Sequence, residues 1–428
     1  MMSKFRPVYL LSLFAFTACS TSDGGPATTG GHLATGGNVQ NSGGIVSSGG
    51  AQATGGNTTM GGSPATGGIP ATGGTTASGG SALGGMMPTG GTPSMGGVDA
   101  GSVDTGTKPD SNNVATGGTI ATGGSVSSPF KCSNLSAHPG TTGKGKPSGA
   151  VGGLKILDWA GFTGAVSFTF DDNNPSLISN YPKLQATGAK VTFFIVSGWT
   201  SATNAIWKTA ITDGHEIGNH TQSHSSNADA SDLKAAQDFF KSDLGVTPFT
   251  MAAPNGAASW VSVAPTLLIA NRGVANGLVG PRDNTDPFSL PAYLPPTNAG
   301  ASQMDGEVNA AKTANKWKIF CVHGFTGDSA AYQAVNLDGM TTTMSNAVKN
   351  GLWTDTMGNV AAYWLGQKAI PASATTSATW TLPANFPPNM CVRATTTGGA
   401  LKQKGAEVPW NDHGYYEVSL DAKALTIE

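Results

Sequence analysis

Between residues 150 and 370, short runs of β-branched and aromatic residues alternate with longer stretches whose apolar positions recur at helical spacing. Residues 166–170, 191–196 and 317–322 are runs rich in β-branched and aromatic residues, which predicts buried strands. Residues 175–187 have helical composition and end at Gly188, a suitable C-cap. Residues 207–212 predict a short helix. Residues 231–244 predict a longer one, with Ser231 placed to cap it and Leu233, Ala236, Phe239, Phe240 and Leu244 on one face. Two more helices are expected over 340–350 and 360–367. This alternation implies an α/β domain over residues 131–370, built on a mostly parallel sheet or barrel. Beyond Pro371 the pattern changes: 374–381 and 415–427 read as strands among Pro- and Gly-rich loops. Residues 371–428 are therefore expected to form a small β-rich module or an extension of the main domain, too short for a large core of their own.

Residues 20–130 carry no such pattern. Ala-Thr-Gly-Gly recurs from Ala34, Ala53, Ala65, Ala71, Ala115 and Ala121, with few large apolar residues and little charge. Nothing there offsets the entropy of ordering, so a disordered tether is expected, about 60 Å from end to end as a random coil. Residues 1–19 combine Lys4 and Arg6 with a short apolar core and small residues before Cys19. They resemble a bacterial lipoprotein signal, in which Cys19 carries the lipid, and the core is too short to span a bilayer. The expected location is outside the cytoplasm, lipid-anchored at the cell envelope, with plain secretion as the alternative. Charge is nearly balanced, with 23 Lys+Arg against 25 Asp+Glu, which argues against a nucleic-acid partner. A monomer is expected.

An exported chain can hold disulfides. With Cys19 lipidated, Cys132 and Cys391 are expected to pair across the edges of the folded part. Cys321, inside an apolar strand, is expected to be a buried free thiol.

Candidate chemistry begins where residues 166–170 end, at Asp171-Asp172. Two adjacent carboxylates at a strand end are costly to bury unless a cation or proton compensates them. A second cluster runs Gly214-His215-Glu216-Ile217-Gly218-Asn219-His220-Thr221-Gln222-Ser223-His224. One helical turn would place His220 and His224 on the same side. With Asp172 they make an N,N,O set that leaves a coordination position open, as catalytic metal sites do. Zinc suits this set first, and manganese, cobalt or nickel also fit it. His215, ahead of the turn, is read as structural.

Thr169-Phe170-Asp171-Asp172, Thr192-Phe193-Phe194 and the His220/His224 segment together resemble the polysaccharide deacetylase family, or NodB-homology domain, over about residues 160–370. The resemblance implies a distorted (β/α) barrel and metal-dependent hydrolysis of acetyl groups from N- or O-acetylated polysaccharide. It implies Asp171 as general base, one divalent ion on Asp172, His220 and His224, and His323, at the end of Ile319-Phe320-Cys321-Val322-His323, as general acid. The family's third motif reads Met251-Ala252-Ala253-Pro254-Asn255-Gly256. Asn255 would keep the backbone N–H that steadies an oxyanion, but Ala252 stands where an arginine often orients the base. Of Arg272 and Arg282, Arg282 is the candidate to replace it. That departure keeps an alternative open, a catalytically weakened carbohydrate-binding protein on the same fold. Trp199, Trp260 and Tyr293 could stack on sugars or belong to the core.

Overall fold

The structure, a computed structural model, describes residues 131–428. The signal, Cys19 and the repetitive tether lie outside the described residues. No helix among the described residues is long and apolar enough to cross a membrane.

The strands of the first half are β1 (Lys155–Ile156), β2 (Ala165–Asp171), β3 (Val191–Ile195), β4 (Glu216–Asn219), β5 (Thr250–Ala252), β6 (Ala270–Arg272), β7 (Trp317–Val322) and β8 (Trp353–Thr354). Seven of them form one parallel sheet in the order β6-β5-β4-β3-β2-β7, with β8 beside the start of β2. All seven residues of β2 are buried. It pairs with β7 from Ala165 to Phe170 and with β3 only from Phe168, so β8 fills the place beside Ala165 and Val166. A parallel strand covered on both sides is mostly apolar, and β2 encloses only the small hydroxyl residues Ser167 and Thr169 before Asp171. The curled sheet with its helices is a (β/α) half-barrel.

The helices are α1 (Pro175–Ser179), α2 (Tyr181–Gln185), α3 (Ile206–Thr212), α4 (Ala230–Phe239), α5 (Ala301–Ala314), α6 (Leu337–Lys349) and α7 (Met357–Ala369). The helix expected over 175–187 is broken at Asn180, where φ is −102° and ψ is 8°, and Pro182 restarts it as α2. Asp229, not Ser231, caps α4, by accepting from the Ser231 N–H at 2.8 Å. The last turn of the expected helix, Phe240–Leu244, widens to π geometry.

The C-terminal strands are β9 (Ser377–Thr379), β10 (Cys391–Thr395), β11 (Leu401–Gln403), β12 (Ala406–Glu407), β13 (Trp410–Asn411), β14 (Tyr415–Ser419) and β15 (Ala424–Ile427). They build two antiparallel four-stranded sheets, β1-β10-β14-β13 and β12-β11-β15-β9. Because β1 pairs with β10, the segment ahead of the parallel sheet joins the tail. The tail shares its buried cluster with α7: Val360, Tyr363 and Trp364 pack with Val392, Val418, Leu420 and Leu425. Cys132 and Cys391 form a disulfide. Asn134 straddles it, donating to the Cys391 carbonyl at 3.1 Å and accepting from its N–H at 2.9 Å. Cys321 is free and buried.

Candidate metal and active site

Five strands of the sheet deliver polar residues at their C-terminal ends, where parallel α/β sheets gather ligands. Asp171 ends β2 and Asp172 follows it. His220 follows β4, Asn255 lies just past β5, Arg272 ends β6 and His323 follows β7. These residues line a common cleft of about 360 Å³, which His224 also enters.

The turn after β2 is held open by two amides. Asp172 and Asn173 have φ of +74° and +41°, a region L-residues enter only when their surroundings enforce it. Asn173 supplies that enforcement by accepting from Val196 N–H at 2.9 Å and donating to Ser201 Oγ at 2.7 Å. Asn174 donates to the His323 carbonyl at 2.7 Å, tying the carboxylate turn to the end of β7. The expected helical turn from His220 to His224 is absent; the segment is an irregular loop with φ of +66° at Thr221 and +58° at His224. Asn219, fully buried, accepts from Thr221 N–H at 2.7 Å and donates to Leu233 O and Gln237 Oε1. Thr221 Oγ1 in turn accepts from His224 N–H at 3.0 Å. The loop brings the imidazoles together, with ring centroids 4.7 Å apart.

Asp172 Oδ1 lies 3.3 Å from Nε2 of both His220 and His224. It is buried and makes no hydrogen bond of ordinary geometry. The ligand atoms of the three residues fall within 4.8 Å of one another. His220 Nδ1 lies 2.9 Å from the Ala252 carbonyl, so Nδ1 carries a proton and Nε2 is the atom left facing Asp172. Burial works against charge on Asp172, yet His220 and His224 hold its carboxyl well below the ordinary carboxylate range. Burial also opposes charge on His220, and Asp172 and Asp171 outweigh it to raise that imidazole. The two shifts are one coupling seen from both partners: carboxylate and imidazole each favour the other's charged form. Two imidazoles and a carboxylate of this kind fit a divalent cation.

Asp171 is set against this cluster with different partners. Its Oδ1 accepts from Arg272 Nη2. Its Oδ2 lies 3.7 Å from His220 Nε2 and 3.8 Å from Cys321 Sγ. Arg272 is fully buried, donates from Nε to Thr169 Oγ1 at 3.1 Å and lies 5.2 Å from the Phe194 ring centre. That ring covers Gly218, where a Cβ would stand 2.3 Å from the ring edge. Burial alone would lower Arg272, and the Asp171 charge raises it instead. Asp171, Cys321 and His323 also lie within reach of one another. Burial pushes the Cys321 thiol up, and the Arg272 guanidinium occupies the space beside Asp171, so a cation there would meet another.

His323 is held below the ordinary imidazole value by burial, with Asp171 and Asp172 pulling the other way. Its Nδ1 is buried without a partner. Asn255 has φ of +55°, and its side chain is turned away to Ser226 Oγ at 3.0 Å.

Arg282 corrects the expectation from sequence. It is exposed, its Nη1 donates to the Ile370 carbonyl at 3.1 Å, and the arginine on Asp171 is Arg272. The other aromatics separate as well. Trp260 is fully buried and braces the Ser225 carbonyl at 2.9 Å, and Tyr293 lies against β7. His215 is structural: Nδ1 accepts from Val191 N–H at 3.1 Å and Nε2 lies 2.6 Å from Gln185 Oε1. Three bracing residues, Asn173, Asn174 and Asn219, went unassigned from sequence. Their signal was amides directly flanking the carboxylates and the first histidine.

Fold and cluster together define an α/β half-barrel protein with a candidate N,N,O cation site at the C-terminal rim of its sheet. The family model described as polysaccharide deacetylase matches residues 163–265. The match stops short of Arg272 and His323, whose placement rests on the geometry. No curated protein matches the chain. Solved structures similar to it include a putative polysaccharide deacetylase from Mycobacterium smegmatis, 15% identical over 53% of this chain and 96% of that one, with a TM-score of 0.38. Another is a family 4 acetyl xylan esterase from Clostridium thermocellum in complex with cobalt, 19% identical over 46% and 89%, with a TM-score of 0.32. A third is a peptidoglycan deacetylase from Bacillus subtilis, 16% identical over 47% and 91%, with a TM-score of 0.31.

Proposed function

We propose that this chain is a metal-dependent hydrolase that removes acetyl groups from N- or O-acetylated polysaccharide. The observation that carries the reading is the convergence of Asp172, His220 and His224, with an arginine-anchored Asp171 beside them. A divalent ion, zinc first by its donor set, would be held by those three side chains. When bound, such an ion polarises the acetyl carbonyl and activates water.

The remaining work falls to the protein's own groups. Arg272 fixes Asp171 through Oδ1, which leaves Oδ2 directed at the cluster to take a proton from the attacking water. The backbone N–H of Asn255 is assigned to the developing oxyanion. His323 donates a proton to the departing amine or alkoxide. Asp171 and Asp172 favour the imidazolium this needs, against the burial that disfavours it. Arg272 also answers the missing arginine of the third motif, which had motivated the reading as a weakened carbohydrate-binding protein. We assign the site of action to the cell envelope, through lipid on Cys19, with secretion as the alternative.

The test is acetate release from acetylated glycans alongside metal content by mass spectrometry. Asp171→Asn should keep the metal and lose nearly all turnover. His220→Ala should lose both. Full turnover in Asp171→Asn, or in chelated wild type, would refute the assignment.

A further inference from the structure

Among the described residues, five large apolar side chains are exposed: Val151, Trp199, Val274, Tyr332 and Val348. Three of them stand at the mouth of one cleft. Tyr332 and Val274 line it, and the Trp199 ring lies 5.6 Å from that of His224. Tyr332 is 60% exposed and meets His323 edge-on, with centroids 5.5 Å apart at 89°. Burial is the ordinary fate of such rings. Six of the nine tryptophans are at most 2% exposed, whereas Trp199 is 38% exposed.

Their positions in the sheet give these rings a direction. Trp199 lies in the loop after β3 and Tyr332 in the loop after β7, and both strands flank β2. Neighbouring strands lie about 4.8 Å apart, so the two loops leave the sheet roughly 10 Å apart, with Asp171-Asp172 between them. A single sugar ring is shorter than that span, so a ligand that meets both aromatics is a chain of sugars. Flat apolar faces with polar edges suit sugar rings, whose C–H faces are apolar and whose hydroxyls stay wet.

From this placement we infer that Trp199 and Tyr332 are two sugar-stacking platforms on opposite sides of the Asp171-Asp172 turn. The cleft takes an internal stretch of a polysaccharide chain rather than a terminal or single sugar. This rests on the deacetylase reading of the same cleft and adds the length and direction of its substrate.

The probes are β-1,4-linked N-acetylglucosamine oligomers of one to six units and a parallel ladder of acetylated xylo-oligomers. Binding is measured by calorimetry and acetate release separately, on the full chain supplied with zinc. Affinity should rise with length until the oligomer spans both rings. Trp199→Ala and Tyr332→Ala should each weaken hexamer binding about 3- to 10-fold. The effect on the monosaccharide should be smaller, and Trp199→Phe and Tyr332→Phe should recover most of the loss. Parallel length dependence in wild type and both alanine variants, or no length dependence in either ladder, overturns the inference. The two readings fail differently. Length-dependent binding that the alanine variants flatten, without acetate release, sinks the hydrolase and leaves the glycan cleft. Acetate release that ignores both length and the two rings does the reverse.

Discussion

Replacing Arg272 with methionine tests the centre of the site most directly. The guanidinium is fully buried, and its partner Asp171 is 2% exposed. Arg272→Met removes the donor to Asp171 Oδ1, the 3.1 Å bond to Thr169 Oγ1 and the 3.3 Å bond to the Gly273 carbonyl. Methionine fills much of the space, so the loss is electrostatic rather than a cavity. A buried ion pair broken from one side costs about 3–5 kcal/mol, because the remaining charge has neither water nor partner. Thr169 keeps its own bond to Phe320 O at 2.6 Å and adds little. The expected fall in unfolding free energy is therefore about 3–5 kcal/mol, read from urea melts. Asp171→Asn in the same chain removes the stranded charge, so the double variant should be at least about 2 kcal/mol more stable than the two single losses added together. Arg282→Met, at an exposed side chain with one bond to Ile370 O, should cost less than about 1 kcal/mol and leave acetate release intact. Additive losses in the Arg272/Asp171 cycle, or equal losses at Arg272 and Arg282, would refute the pairing.

Two other measurements address the scaffold. Burial, followed by the Lys190 charge, depresses His215 to about 4 from the ordinary 6.5. The unfolded chain thus binds the proton first as pH falls, so this contribution is complete above about pH 6.5 and is lost progressively towards pH 4, by up to about 3 kcal/mol. His215→Gln, which can still accept from Val191 N–H, should flatten the stability-versus-pH curve in that window, and an unchanged slope contradicts the assignment. Cys132→Ser opens a disulfide that closes a 259-residue separation and should cost about 3–5 kcal/mol in thermal or urea melts. A loss below about 1 kcal/mol would mean that residues 131–135 are held by Asn134 and its neighbours without the covalent link.

The candidate ligand set was legible because adjacent carboxylates and paired imidazoles are costly to bury without a compensating charge, which limits what they can do at a strand end. The strand under Asp171 was equally plain, since a fully covered parallel strand leaves a run rich in β-branched and aromatic residues. The short strands β4, β5 and β6 left no such trace. They contain three or four residues each, and Gly218 and Asn219 in β4 are chosen by the Phe194 ring and the His220 loop rather than by strand propensity. The helical turn expected from His220 to His224 failed for a related reason. A spacing of four also fits a loop, and only the buried Asn219 and Thr221 contacts show which backbone was adopted. Helix α5 went unassigned because its apolar face is only Met304, Val308 and Ala311 amid small and polar residues.

The arginine shows where linear reading stops. Ala252 occupies the position from which the guanidinium was expected, which made its absence look like a loss of function. In the sheet, Ala252 on β5 pairs in register with Arg272 on β6. The charge has moved one strand across at the same height of the barrel, and the side chain crosses the interior to the same carboxylate. Twenty residues separate the two positions along the chain and one strand spacing separates them in space. What Asp171 requires is a cation on Oδ1, and either strand can supply it. A substitution at Ala252 that restores arginine should therefore destabilise the protein, because two guanidiniums would compete for one buried acid, with Ala252 itself fully enclosed.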